Sequence, residues 1–246
     1  MLDSVTGKEK SPGGGRAERQ PIWDRPARGA RGPAASHGRD EIAAAAVDLA
    51  DVGGLPAVSM RAVAAELGTA AGSLYRYVAA RDDLLDLMAD RAVGELLIVP
   101  APPDDGVAGM LALARQQRDL LRRHPWLIDV LAGPLHPGPS ALAWFDRCLS
   151  VLEPTQAPVV ARFEAIALMT GLVSTLVRGE SAPASFSFGS VDPALHPHLS
   201  RALSDTAPSA PRSSAPPPTT PAPDLLDRAL EGLLRGLLGT DAGPRR

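Results

Sequence analysis

The chain has 246 residues, 45% of them hydrophobic and 22% charged, enough for one large or two modest domains with buried cores. Its net charge of −3 excludes a uniformly basic nucleic-acid binder, so any such activity must come from local charge. Aromatic residues make up only 4% and β-branched runs are few, while Ala, Leu and Arg abound, which predicts an all-α fold.

Residues 1–37 are rich in Gly, Pro and Arg without any sustained period and read as a flexible, arginine-containing arm. A first helix is expected over about 39–52, with Ile42, Ala45, Ala46 and Leu49 as its buried stripe and Gly53-Gly54 as its stop. Two short helices then follow around a four-residue turn. In the first, capped by Ser59, residues Met60, Val63, Ala64 and Leu67 fall at i, i+3, i+4 and i+7, and Gly68 stands where a helix ends in a left-handed residue. Thr69 is expected to cap the second, which runs to about residue 78 and buries Leu74 and Val78 while Ser73, Tyr75 and Arg76 project outward. This pattern is a helix-turn-helix, whose second helix enters the DNA major groove. Residues 58–81 carry three arginines against Glu66 alone, so local charge fits a phosphate-facing surface. The acids of 40–51 and 82–95 are expected to face elsewhere.

Arg81-Asp82-Asp83 opens a fourth helix with acids at the positive end of its dipole, ending by Pro100. Pro102 to Asp105 cap a long helix to about residue 124, and further helices are expected over 125–131, 140–152 and 155–179. The last is apolar nearly all round, as a helix at the centre of a bundle would be. A helix is possible over about 194–204, and the Pro/Ser/Thr-rich stretch 207–223 reads as a disordered linker. Beyond it, paired leucines from Leu225 to Leu238 recur every four residues, a stripe that must dock on the domain or on a second subunit.

Other chemistry finds little support. His196-Pro197-His198 lacks a third ligand at usable spacing, so no metal is expected, and no cofactor either. Cys148, Asp146 and His136 form no nucleophile–base pattern, and no Gly-x-Ser-x-Gly elbow, phosphate-cradling loop or dinucleotide fingerprint is present, so no enzyme is expected. The single Cys148 excludes an internal disulfide and suits a reducing compartment. With no signal-peptide pattern and no uninterrupted apolar run of about eighteen residues, a cytoplasmic location without membrane contact is expected.

The SMRAVAAELG helix, the turn, and SLYRYV followed by a basic residue and DDLLDLM together resemble the tetracycline-repressor (TetR/AcrR-type) family of bacterial transcription factors. The resemblance covers about residues 38–98 and implies a three-helix DNA-binding head. Residues 104–240 are similar to the family's divergent effector-binding and dimerisation domain in helical character and length. By resemblance, Ser59 and Arg61 would bind phosphates, Thr69, Ala70, Ala71, Gly72 and Ser73 would form the groove-entering tip, and Tyr75 and Tyr77 would contact the backbone. Arg76 would lie nearest the bases, and Arg81 would clamp a phosphate. The tip offers few hydrogen-bonding side chains, so close backbone approach and thymine-methyl contacts would have to serve, with Arg76 as the main guanine reader.

The resemblance further implies a homodimer on palindromic double-stranded DNA, acting as a repressor released by a small apolar or amphipathic effector. Met110, Trp126, Trp144, Phe163 and Met169 are the candidate pocket lining. The leucine helix and the 155–179 helix are the candidate dimer seam, so that deleting residues 224–246 would yield a monomer. The alternative is a DNA-binding regulator without a small-molecule ligand, controlled by a protein partner or by its expression level.

Overall fold

The computed structural model of the chain describes residues 20–25, 38–102, 106–181, 191–206 and 224–239. Arg28 and Arg31 of the expected arm, and the linker 207–223, lie outside these residues. Every regular element among the described residues is helical. They form two compact units, one of residues 1–98 with 129–144 and one of 99–128 with 145–246.

In the first unit, helix α1 (Arg39–Ala57) buries Ile42, Ala43, Ala45, Ala46, Val47 and Ala50 and packs on α4 (Arg81–Ile98). Gly38 precedes it and donates its N–H to Glu41 Oε2 at 2.6 Å, which satisfies one of the free amides of a helix start. The regular helix breaks at Gly54, whose φ of 68° and ψ of −178° belong to a region essentially reserved for glycine. One further turn carries the chain through Pro56 to the buried Val58.

Helix α2 (Met60–Glu66) starts at Ser59, whose hydroxyl oxygen accepts from Ala62 N at 3.1 Å. It ends in a Schellman turn: Gly68 at φ 63° donates to Ala65 O, and Thr69 N donates to Ala64 O at 2.8 Å. The N-cap position of the next helix falls on Ala70 and not on Thr69. Ala70 takes the extended capping position instead, without a side-chain bond. Helix α3 (Ala71–Leu74) is regular for four residues only. Its turn continues through Tyr77 and Val78, whose amides both donate to Leu74 O at 2.9 Å. Leu74 and Val78 are buried, as their spacing predicts.

Three of the five acids of α4 do not face solvent. Asp83, Asp86 and Asp90, spaced i, i+3 and i+7, are all buried. Asp83 accepts from the amides of Ala79 and Ala80 at 3.0 and 3.2 Å, the acid half of a capping box. Asp86 accepts from His136 N at 3.2 Å, and Asp90 accepts from Ala141 N at 2.9 Å. Buried carboxylates persist only where such partners replace water. Nor is the whole stretch before residue 38 unattached: Ile22–Asp24 form a 3₁₀ turn with Ile22 fully buried.

Helix α5 (Gly106–Arg123) lies in the second unit, and α6 (Leu127–Leu131) and α7 (Pro139–Leu152) each have residues in both. After these come α8 (Val159–Ser181), α9 (Pro197–Thr206) and α10 (Leu225–Leu238). Helices α5, α8 and α10 pack mutually. One leucine row of α10 (Leu226, Leu230, Leu234, Leu238) is buried within the same chain. Arg115 forks onto Asp227 at 2.8 and 3.1 Å, Arg118 pairs with Asp224, and Arg122 with Glu180. These arginines hold the Glu180 and Asp224 carboxyls below the usual range, chiefly by hydrogen bonding. As surface pairs they fix register more than they stabilise.

Helix α8 is not at the centre of a bundle. Ala165, Ile166, Met169, Val173 and Val177 are buried, while Val159, Val160, Phe163 and Leu168 are exposed. From Val159 to Glu180 it is long and apolar enough to cross a membrane by length and composition, although Arg162 and Glu164 interrupt it. Cys148 is buried and its thiol is pushed up to about 12 by desolvation, so it stays protonated.

Candidate nucleic-acid interface

The start of α2, the end of the α3 turn and the start of α4 converge on one groove of about 450 Å³, lined by Ser59, Met60, Arg61, Tyr75, Arg81 and Leu84. Four of these six are residues the sequence singled out for phosphate or backbone contact. Two hydroxyl groups and two arginines along one groove form a donor-rich, cationic surface suited to phosphate oxygens. Ser59 and Arg61 are exposed, and Tyr75 is 54% exposed although it follows the fully packed Leu74. Such a large aromatic group left in water directly beside a core residue has an apolar body and a polar tip to offer a partner.

The tip lies outside that lining. Ala70 and Gly72 are exposed, Thr69, Ala71 and Ser73 half-buried, and Tyr77 half-buried. Arg76 is exposed, with Nε donating weakly to Ser73 O at 3.5 Å. No atom lies within 4 Å of a Cβ built on Gly72. An alanine there is accommodated by the fold and improves helix propensity by roughly 1 kcal/mol. Gly72→Ala is therefore expected to leave thermal stability unchanged or higher while weakening DNA affinity, if the glycine backbone approaches DNA closely. Unchanged affinity in a binding titration would show that it does not.

Arg81 has a second occupation. Its guanidinium donates to Val58 O and, at 3.1 Å, to Leu55 O, tying the start of α4 to the link between α1 and α2. With five donors it retains capacity for a phosphate, but its removal also unties that link. Sequence spacing could not reveal this, because the acceptors lie 23 and 26 residues upstream.

Met110, Trp126 and Met169 are buried core of the second unit, Trp144 is buried in the first, and Phe163 is 50% exposed on α8. Trp126 stacks edge-on against His124 with centroids 5.9 Å apart. Among the described residues no cluster of three or more His, Cys, Asp or Glu is placed to hold a metal ion.

An exposed, arginine-bearing helix-turn-helix on an all-helical chain defines the class of helical DNA-binding regulators. Residues 42–88 match the model of the bacterial regulatory proteins of the TetR family, and residues 99–214 match the tetracyclin repressor-like C-terminal domain. The chain belongs to the TetR family. It is 40% identical over 161 residues to the HTH-type transcriptional repressor DrrR1 of Streptomyces coeruleorubidus, a match covering 65% of this chain and 59% of that protein. It is also 38% identical over 109 residues to an HTH-type transcriptional regulator of Saccharopolyspora erythraea, covering 43% and 44%. The chain thus spans less than two thirds of the length of either curated relative. Its fold is similar to that of the TetR family protein ActR of Streptomyces coelicolor, solved in complex with (S)-DNPA. There the TM-score is 0.67 and the identity 23%, covering 83% of this chain and 98% of that one.

Proposed function

We propose that the chain is a sequence-specific DNA-binding transcriptional repressor, acting in the cytoplasm as a homodimer on a palindromic operator. The groove that gathers Ser59, Arg61, Tyr75 and Arg81 beside an exposed recognition turn carries this reading. Arg61 and Arg81 neutralise phosphates, Tyr75 packs on the sugar-phosphate backbone, and Arg76 reads a base pair while Ala70 to Ser73 approach the groove floor. Selection of genomic fragments by the purified full-length protein tests it. A recurrent palindrome with half-sites about 10–10.5 bp apart, or a multiple of that, is expected. Recovery of unrelated fragments would exclude sequence-specific binding.

Dimerisation uses the face of α8 that the chain leaves uncovered. Val160, Phe163, Ala167 and Gly171 are exposed along one stripe, and Leu225 and Leu233 of α10 are exposed as well. Apolarity on both sides is what a helix between its own core and a second chain requires.

Release by a small apolar or amphipathic effector is the second part of the proposal, supported by the relationship to a family in which ActR has been solved with a bound small molecule. A regulator without such a ligand is favoured by one observation: Met110, Trp126 and Met169 are closed into the core. Linkage separates the two readings. An effector that releases DNA must bind free dimer more tightly than operator-bound dimer, and a compound that binds both equally is not one.

A further inference from the structure

We propose that residues Ile22 to Arg25 form a strap that positions the recognition turn for DNA, with Arg25 acting through the buried carboxylate of Asp83. The inference rests on the DNA-binding reading above.

The strap is held at three points. Ile22 is fully buried, Trp23 Nε1 donates to His136 O at 3.0 Å, and Arg25 forms an ion pair with Asp83, whose side chain is 0% exposed. Arg39, in the first turn of α1, donates to Arg25 O at 3.0 Å and fixes the end of the strap from the other side. The seat is shaped for this segment. A Cβ on Gly138 would stand 2.4 Å from the Trp23 ring and 2.5 Å from the Asp90 carboxyl, so only glycine lets the loop and the indole lie together. That loop is itself held to α4 through Asp86 and His136 N, and through Asp90 and Ala141 N.

Asp83 divides its two oxygens between strap and recognition segment. Oδ1 faces Arg25, while Oδ2 accepts the amides of Ala79 and Ala80. Those two residues form the turn between Val78, which closes on Leu74 O, and Arg81 of the groove. A buried carboxylate keeps its charge only while hydrogen-bonded and paired, and a charged acceptor binds amides more strongly than a neutral one. Arg25 thus holds the Asp83 carboxylate in place and with it the 79–80 turn, and through that the angle between the recognition turn and α4. Neither Trp23 nor Arg25 lines the groove, and the strap acts on DNA affinity through Asp83 and the 79–80 turn.

The test measures binding of the full-length protein to its selected operator and to unrelated duplex across a salt series, for wild type, Arg25→Ala and Trp23→Phe. Trp23→Phe removes the bond to His136 O and reduces the indole to a single aromatic ring while leaving Arg25 and Asp83 in place, so it reports even if Arg25→Ala fails to fold. Active protein is counted by stoichiometric titration, which separates weaker binding from partial unfolding. Arg25→Ala is expected to weaken operator binding on the order of tenfold, the loss of one charge-assisted bond, with Trp23→Phe smaller in the same direction. Binding to unrelated duplex and the salt slope should both stay as in wild type. A slope shallower by about one would make Arg25 a direct phosphate ligand and overturn the proposal. Unchanged operator affinity in the variants that fold would overturn it as well. A wild-type protein that binds no DNA would instead remove the reading beneath it.

Discussion

Phe163→Glu is expected to turn the protein into a folded monomer and to weaken operator binding by about 10²–10⁴-fold, the avidity lost when two linked half-sites become two independent ones. Phe163 is half in water within one chain, so a carboxylate there costs the isolated subunit little. Across a twofold seam the same change would bury two unpaired charges. The stripe it belongs to narrows toward Gly171, where nothing lies within 4 Å of a Cβ, so a second helix can come close. Leu233→Glu on the exposed row of α10 should act in the same direction. Light scattering together with circular dichroism checks both variants, and a persistent dimer with unchanged operator affinity would move the seam elsewhere. Deleting residues 224–246 is a poorer probe than the sequence suggested. Leu226, Leu230, Leu234 and Leu238 are buried against α5 and α8 of the same chain, so truncation uncovers core as well as seam. Each such leucine contributes roughly 2–5 kcal/mol on truncation to alanine.

Arg76→Ala is expected to reduce operator discrimination by roughly 1–3 kcal/mol at one base pair per half-site, while thermal stability and dimerisation stay as they are. The side chain is exposed and bonded only weakly to Ser73 O at 3.5 Å, so its removal costs the folded chain little. Of the tip residues only Thr69 and Ser73 carry side-chain donors, so the proposed direct reading rests chiefly on this one guanidinium. Competition binding against operators substituted one position at a time measures the effect. A discrimination profile identical to that of wild type would assign base reading to backbone proximity and DNA shape instead. Arg81→Ala is a less clean comparison, because Arg81 also ties Val58 and Leu55 to α4.

The features that sequence made legible are local ones. Leu74 and Val78 are buried because helical spacing fixes their common face, and Gly68 ends α2 because a left-handed residue suits glycine. Residues at the ends of three successive helices, Ser59, Arg61, Tyr75 and Arg81, fall along one groove because the turns between them are short. The readings that changed depend on distant partners. Asp83, Asp86 and Asp90 look like a solvated acidic face until Arg25, His136 and Ala141 arrive from 58, 50 and 51 residues away. Thr69 has the chemistry of a helix cap, yet α2 ends in a Schellman turn through its amide and the extended N-cap position falls one residue later, on Ala70. Apolar character on every side of α8 reads equally as a bundle centre or as a helix with core on one side and an open face on the other. Only the exposure of Phe163 and Val160 separates the two.

Hydroxyl-radical footprinting of the full-length protein on its selected fragment tests the central claim most directly. Two protected patches related by twofold symmetry, with centres about 34–36 Å apart or a multiple of that, are predicted, one for each recognition turn of a dimer. A single unsymmetrical patch, or uniform protection along the fragment, would contradict a dimer of helix-turn-helix heads reading a palindrome.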